Sequence, residues 1–273
     1  MGRKIFSCKV ILLFLSLVFV GNGFAERTKE VGVVEYKKYE RKAADWAYRK
    51  CTVPLFKAIK DLGFSPEWVS VDIFLPENKK ERDKYKRIVL SVAAYCFTPE
   101  MYEGITDYVK SGGLLITNSC LIFIDTNRNY KWEGSKVDKS REAPGFETVG
   151  VYGHASVYMT KIKVKVECPL TRGLPVGKWV NLERRLQGRV TKNYSATVLV
   201  IAERWSDKWE IPDYKGWKPP KGNQPFLTFK HLGKGACIYI VPRLDFRSLK
   251  TKCISTILKN ALSKETLEWL TTD

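Results

Sequence analysis

The stretch Tyr85–Cys120, YKRIVLSVAAYCFTPEMYEGITDYVKSGGLLITNSC, decides the fold. Ile88 to Ala94 is an unbroken run of small and apolar residues, as expected of a strand covered on both faces in a parallel sheet. Thr98 offers a hydroxyl N-cap, and Pro99 stands at the first helical position, where its missing N–H costs nothing. Met101, Ile105, Tyr108 and Val109 then give an apolar face at helical spacing. Gly112 and Gly113 stop the helix, one of them in the left-handed conformation. Leu114 to Thr117 reads as a second buried strand. Strand, helix and strand of this length make a right-handed βαβ unit.

Outward from this unit, Val31 to Tyr36 reads as the first strand. Ala43 to Leu62 reads as a helix that Pro54 kinks or splits, and Trp68 to Phe74 as a second strand. Pro76 to Lys84 is expected to be a charged loop. Between Cys120 and Gly150 there is little periodicity. Val157 to Val166 alternates with Lys161, Lys163 and Lys165, as an edge strand or one open to water would. Thr197 to Ala202 is another apolar strand. Pro225 to His231 and Ala236 to Val241 flank Leu232-Gly233-Lys234-Gly235, a hairpin signature. A helix is expected from Ser248.

The first 25 residues are expected to be a secretory signal peptide. Arg3 and Lys4 form a positive start, Val10 to Val20 an apolar run, and Gly23-Phe24-Ala25 a cleavage site. The alternative is an uncleaved anchor, for which the run is short. Residues 26–30 then form a tether, and 31–273 a single domain. The protein is expected to be periplasmic or extracellular, with no transmembrane segment after cleavage. The chain has 273 residues and a formal charge of +18; removing Arg3, Lys4 and Lys9 leaves +15. Such a field favours an anionic polymer as partner, although scattered lysines also suit a solvated surface. Six of the seven cysteines, Cys51, Cys96, Cys120, Cys168, Cys237 and Cys253, remain after cleavage. Export permits disulfides, but the spacing chooses no pairing and holds no CxxC metal motif.

Four segments fall in an order that resembles one superfamily. They are Arg87–Ser119, Ala143–Val151 (APGFETVGV), Cys168–Pro175 (CPLTRGLP) and Gln224–Pro242 with its closing helix. The chain resembles the class I glutamine amidotransferase-like superfamily, in the branch that includes the trimerisation domain of family 42 β-galactosidases. The resemblance covers roughly Val31 to Leu262 and implies a flavodoxin-like three-layer α/β sandwich with a mainly parallel central sheet and a C-terminal β-hairpin plus helix. About 181–223 departs most and is elaborated here. No barrel partner domain is expected within the 273 residues, so a complete galactosidase is not expected of them.

Active members use a Cys in a G-x-C-x-G elbow and a late H-x-E pair. Cys120 stands near the elbow position, after Asn118 and Ser119. The flanking glycines are absent, and neither His154 nor His231 begins H-x-E. The resemblance therefore implies a non-catalytic domain for binding or assembly, related to carbohydrate. The alternative is an amide or glycan hydrolase with Cys120 as nucleophile. Asn118, Ser119 and His154 are candidate ligand-binding residues by position. Trp205, Trp209 and Trp217, interleaved with lysines, are candidates because rings stack on sugars; they serve equally as a lid on the core. Asp125, Asn127, Asn129 and Glu133 imitate the start of a calcium loop, but Tyr130 replaces its glycine and Lys136 its last acid, so no metal is expected. Nothing implies a cofactor. A homo-oligomer or a partner protein is compatible with the assembly reading. N-terminal sequencing of the exported protein is expected to begin at Glu26; a full-length chain in the membrane fraction would refute the signal reading.

Overall fold

The computed structural model describes residues 27–35, 48–91, 97–118, 143, 146–148, 156–189, 191–193, 195–204 and 222–271. Among the described residues eleven strands are numbered in chain order. They are β1 (Lys29–Glu35), β2 (Pro66–Ser70), β3 (Tyr85–Leu90), β4 (Leu114–Thr117), β5 (Phe146–Thr148), β6 (Ser156–Val164), β7 (Trp179–Arg189), β8 (Thr191–Asn193), β9 (Thr197–Arg204), β10 (Gln224–Leu232) and β11 (Gly235–Ile240). The helices are α1 (Val53–Asp61), α2 (Lys79–Arg82), α3 (Pro99–Lys110), α4 (Lys252–Leu262) and α5 (Lys264–Thr271).

This is an α/β fold on one nine-stranded sheet of order β2-β1-β3-β4-β11-β10-β9-β6-β7; β5 and β8 form a separate antiparallel pair. Strands β2, β1, β3, β4 and β11 run parallel. From β11 outward every pairing is antiparallel. The sheet is therefore mixed rather than mainly parallel, because the strands after β4 return by antiparallel pairing instead of helical crossovers.

The central unit forms as its residues dictate. Thr98 accepts a hydrogen bond from the Met101 N–H at 3.4 Å, and Pro99 opens α3. The helix ends in a Schellman motif, with Gly113 N–H donating to Tyr108 O and Gly112 N–H to Val109 O. Gly112 takes φ +101°, which L side chains rarely adopt. Apolar clusters line both faces of the parallel half. Leu55, Ile59, Val89, Ile116, Ile254 and Ile257 share one. Ile88, Leu90, Met101, Ile105, Leu115 and Cys237 share the other.

Several boundaries differ from the sequence expectation. Strand β1 begins at Lys29, inside the supposed tether, and Arg27 donates to the carbonyls of Tyr85 and Ser111. Pro54 falls where a π-helical turn, Tyr48–Thr52, passes into α1. Strand β2 stops at Ser70, whose hydroxyl accepts from the Asp72 N–H, and Val71–Phe74 continues as a 3-10 turn. The stretch expected as a loop forms a 3-10 turn, Pro76–Asn78, and α2. Strand β6 is no edge: it lies between β9 and β7.

Gly235 marks a close approach of β11 to the end of α3. A Cβ there would stand 2.3 Å from the carbonyl oxygens of both Gly113 and Val109. Backbone atoms cannot yield as a side chain does. Gly235→Ala is expected to cost about 3 kcal/mol and to lower Tm by roughly 6–12 °C in thermal denaturation; an unchanged Tm would refute the contact.

Candidate functional site at the carboxyl edge of the sheet

In an open α/β sheet, ligands bind beyond the carboxyl ends of the strands, where strand order reverses. Here β1 has β2 on one side and β3 on the other, so the reversal falls between β1 and β3. Register aligns Val33 with Val89, and Leu90 with Thr117 and then Tyr239. Continuing that register puts Glu35, Ser91 and Asn118 at one level along this edge, across three adjacent strands.

Asn118 is 3% exposed. Its Nδ2 donates to Pro242 O at 3.5 Å, while its Oδ1 has no hydrogen-bond partner. Pro242 is fixed in turn: it bridges to Gly188 of β7, and Arg243 N–H donates to Gln187 O at 2.8 Å. The far end of the antiparallel half thus curls back against the end of β11. Gln224 opens β10 at this same edge, because Val241 N–H donates to Phe226 O. Gln224 Oε1 is also buried without a partner, as is Thr52 Oγ1 in the π-helical turn before α1. Each such acceptor costs about 1–3 kcal/mol when left unmet. A polar ligand or a buried water molecule would satisfy each of them.

The loop after β11 braces this region. Asp245 accepts from the N–H groups of Arg247 and Ser248, and Phe246 N–H donates to Lys50 O at 3.2 Å. Cys51, fully buried in the same turn, has its thiol pushed up to about 12 by burial, against an opposing effect of Arg243. Burial likewise raises Cys237 and Cys253 to about 12. Cys51, Cys168, Cys237 and Cys253 are free thiols.

Of the residues the sequence singled out, the structure places Asn118 alone. Cys120, Ser119, His154, Trp205, Trp209, Trp217, Asp125, Asn127, Asn129 and Glu133 lie outside the described residues. His231 is described, and it stands at the opposite end of the sheet. It pairs with Ala236, whereas Thr117 pairs with Tyr239 and Asn118 follows one step further. Four residues of strand separate the two levels, about 13 Å at about 3.3 Å per residue. The His231 ring packs edge-on against Phe229, 5.3 Å between centres. Sequence reasoning missed Glu35, Ser91 and Gln224, which each look like an ordinary strand-end residue until register aligns them. Among the described residues, no group of three or more His, Cys, Asp and Glu is placed to hold a metal ion. None of the described helices is long and apolar enough to cross a membrane.

No family model matches the sequence. No curated protein matches it either. Solved structures do share the fold. A catalytic mutant of Gan42B, a GH42 β-galactosidase from G. stearothermophilus, is 17% identical with a TM-score of 0.51; the match covers 82% of this chain and 29% of that one. The β-galactosidase of Rahnella sp. R3 is 12% identical with a TM-score of 0.53, covering 87% and 31%. The chain therefore spans about three tenths of the enzymes it matches. The cytoplasmic protein STM3548 of Salmonella typhimurium is 14% identical with a TM-score of 0.53, covering 88% of this chain and 98% of that one. The same fold thus occurs within GH42 β-galactosidase chains and as nearly the whole of another protein.

The thiols give a pH prediction. Their folded pKa lies near 12 against an ordinary 9.0. The unfolded chain therefore loses these protons first as pH rises, so stability is expected to be unaffected by them below pH 9 and to fall between pH 9 and 12. Native iodoacetamide labelling at pH 8 is expected to spare Cys51 and Cys237, which are fully buried; rapid modification of either would contradict their burial.

Proposed function

We propose that this chain is an exported, non-catalytic amidotransferase-like domain that serves binding or assembly around carbohydrate, built as a flavodoxin-like three-layer sandwich closed by a C-terminal hairpin and helix. The observation that carries this reading is the placement of His231 at the amino edge of the sheet, away from Asn118 and the end of β4. His231 is thus not the base for a nucleophile behind the end of β4, and a thiol that lacks a base is a weak nucleophile at neutral pH. The likeness to a part of two β-galactosidase chains supports the carbohydrate connection. The unmet acceptors of Asn118 and Gln224 support a polar ligand at the carboxyl edge. The competing reading, a hydrolase using Cys120, is favoured by one fact: Cys120 follows Asn118 by two residues, close behind the carboxyl end of β4.

The test uses the exported protein and its Cys120→Ala variant. Calorimetry follows binding of galactose-containing oligosaccharides, alongside assays for ammonia from glutamine and for sugar release. Both proteins are expected to bind with equal affinity and to turn nothing over. Turnover that the variant loses would replace this reading with the hydrolase; no binding to any glycan would remove the carbohydrate connection.

A further inference from the structure

The antiparallel half of the sheet is covered on one face. There Ile162, Val164, Val200 and Ala202 pack in the cluster that includes Ile254, Ile257, Leu258 and Leu270 of α4 and α5. The cluster beneath α3, on the other face, contains no residue of β6, β7 or β9. An antiparallel sheet tolerates one face open to water, and no apolar cluster of the described residues covers this one. What that open face carries is specific.

Along β6, Lys161 and Lys163 alternate with Ile162 and Val164, which are 2% and 1% exposed, and Lys165 follows in the same phase. Successive lysines in this phase stand about 6.6–6.8 Å apart. Lys163 lies directly across from Trp179 on β7 and from Ile201 on β9, and Trp179 is 42% exposed. Lys161 lies across from Asn181 and pairs with Glu203 at 3.1 Å. Neither Lys163 nor Lys165 has an acidic partner among the described residues. At the other end of the strip, the Arg185 guanidinium sits 4.3 Å from the centre of the Tyr158 ring. Among the described residues, the acids closest by register or sequence are Glu203, already paired, Glu167, two residues beyond Lys165, and Glu183, two residues beyond Asn181, which accepts from the Lys252 N–H.

Unpaired cations repeating along a strand, beside one exposed ring, suit a linear polyanion whose repeating unit has a flat apolar face. An indole offers that apolar surface, and ammonium groups beside it meet carboxylates. Single-stranded nucleic acid suits the strip less well, since it needs successive rings for successive bases; Trp179 is bare, but Arg185 covers Tyr158. We propose that this open face binds an acidic polysaccharide of the polyuronate class, with Trp179 beneath a pyranose ring and Lys163 and Lys165 on successive carboxylates. The proposal rests on the carbohydrate-related reading above and names the ligand's charge and its place.

The test measures binding of polygalacturonate oligomers, neutral galactan oligomers and a single-stranded oligonucleotide across a salt series. It compares the exported protein, a Lys163→Gln/Lys165→Gln variant and a Trp179→Ala variant, with thermal denaturation of each to verify folding. Polygalacturonate is expected to bind best. The double lysine variant is expected to lose about tenfold in affinity at low salt and about two from the slope of log affinity against log salt. Trp179→Ala is expected to lose roughly tenfold at every salt concentration. Unchanged affinity and slope in the lysine variant would overturn the proposal. Tighter binding of the oligonucleotide would also overturn it, in favour of a nucleic-acid surface. Binding of neutral galactan alone, indifferent to these substitutions, would overturn the strip and leave the broader carbohydrate reading standing. Failure of every glycan to bind would overturn both.

Discussion

The sheet depends on one seam, where β4 lies beside β11. Leu114–Thr117 pairs in parallel with Ala236–Tyr239, more than a hundred residues later in the chain, and this pairing joins β2, β1, β3 and β4 to β11 and the antiparallel strands beyond it in sheet order. The seam closes because two glycine pairs meet. Gly112 and Gly113 end α3, and the turn of β10 into β11 rests on that helix end. Lys234 N–H donates to Lys110 O at 3.0 Å, and Ala236 N–H to Gly113 O at 3.3 Å. The Lys110 carbonyl belongs to the last turn of α3, which has no partner within the helix. The turn supplies the missing donor. Gly233, at φ +62°, would bring a Cβ to 2.6 Å from that same oxygen. A helix cap and a strand turn, each unremarkable alone, are two halves of one contact.

Charge is distributed unevenly about this seam. At the amino edge of the parallel strands the cations are engaged in structure. Arg87, 2% exposed, binds Glu30 at 2.8 Å and donates to Ser263 O at 3.0 Å, tying β3 to the start of α5. Lys29 binds Glu81 and Glu67, which hold its ammonium above its ordinary value. Glu30 is held below the usual carboxylate range, first by Lys86 and then by Arg87. Tyr108, buried beneath the Arg27 guanidinium, donates its hydroxyl to Tyr85 O at 3.1 Å. These groups pair with one another, although Arg87 Nε and Asp83 Oδ1 are left without a hydrogen-bond partner. The carboxyl edge keeps the unmet acceptors of Asn118, Gln224 and Thr52, and β6 carries lysines with no acidic partner among the described residues. Part of the chain's positive charge is therefore structural, and a separate part is presented to solvent. The net charge by itself cannot separate the two.

The same distinction explains what was legible in the sequence. The β3–α3–β4 unit was legible because each signal in it is local: the apolar run, Thr98 at the cap, Pro99 at the first turn and glycine at the stop. Asn118 was legible as a residue at the carboxyl end of β4, because it follows that strand directly. Glu35, Ser91 and Gln224 were not, because only strand order and register bring them to one edge, and neither is written locally. Val69, Val71 and Ile73 alternate as a strand would, yet the strand ends at Ser70. A hydroxyl accepting from the Asp72 N–H competes with strand extension, and a 3-10 turn buries Val71, Ile73 and Phe74 just as well. Alternation of period two reports which face is wet. It does not report whether the strand has neighbours. The lysines of β6 were thus read correctly as facing water, while the strand itself, paired on both sides, could have been an edge as far as its own residues show. An edge lysine guards unpaired backbone against another chain. A lysine in the middle of a sheet guards nothing, because its backbone is already paired; Lys163 therefore needs a different physical account, and the exposed Trp179 across from it is where that account begins.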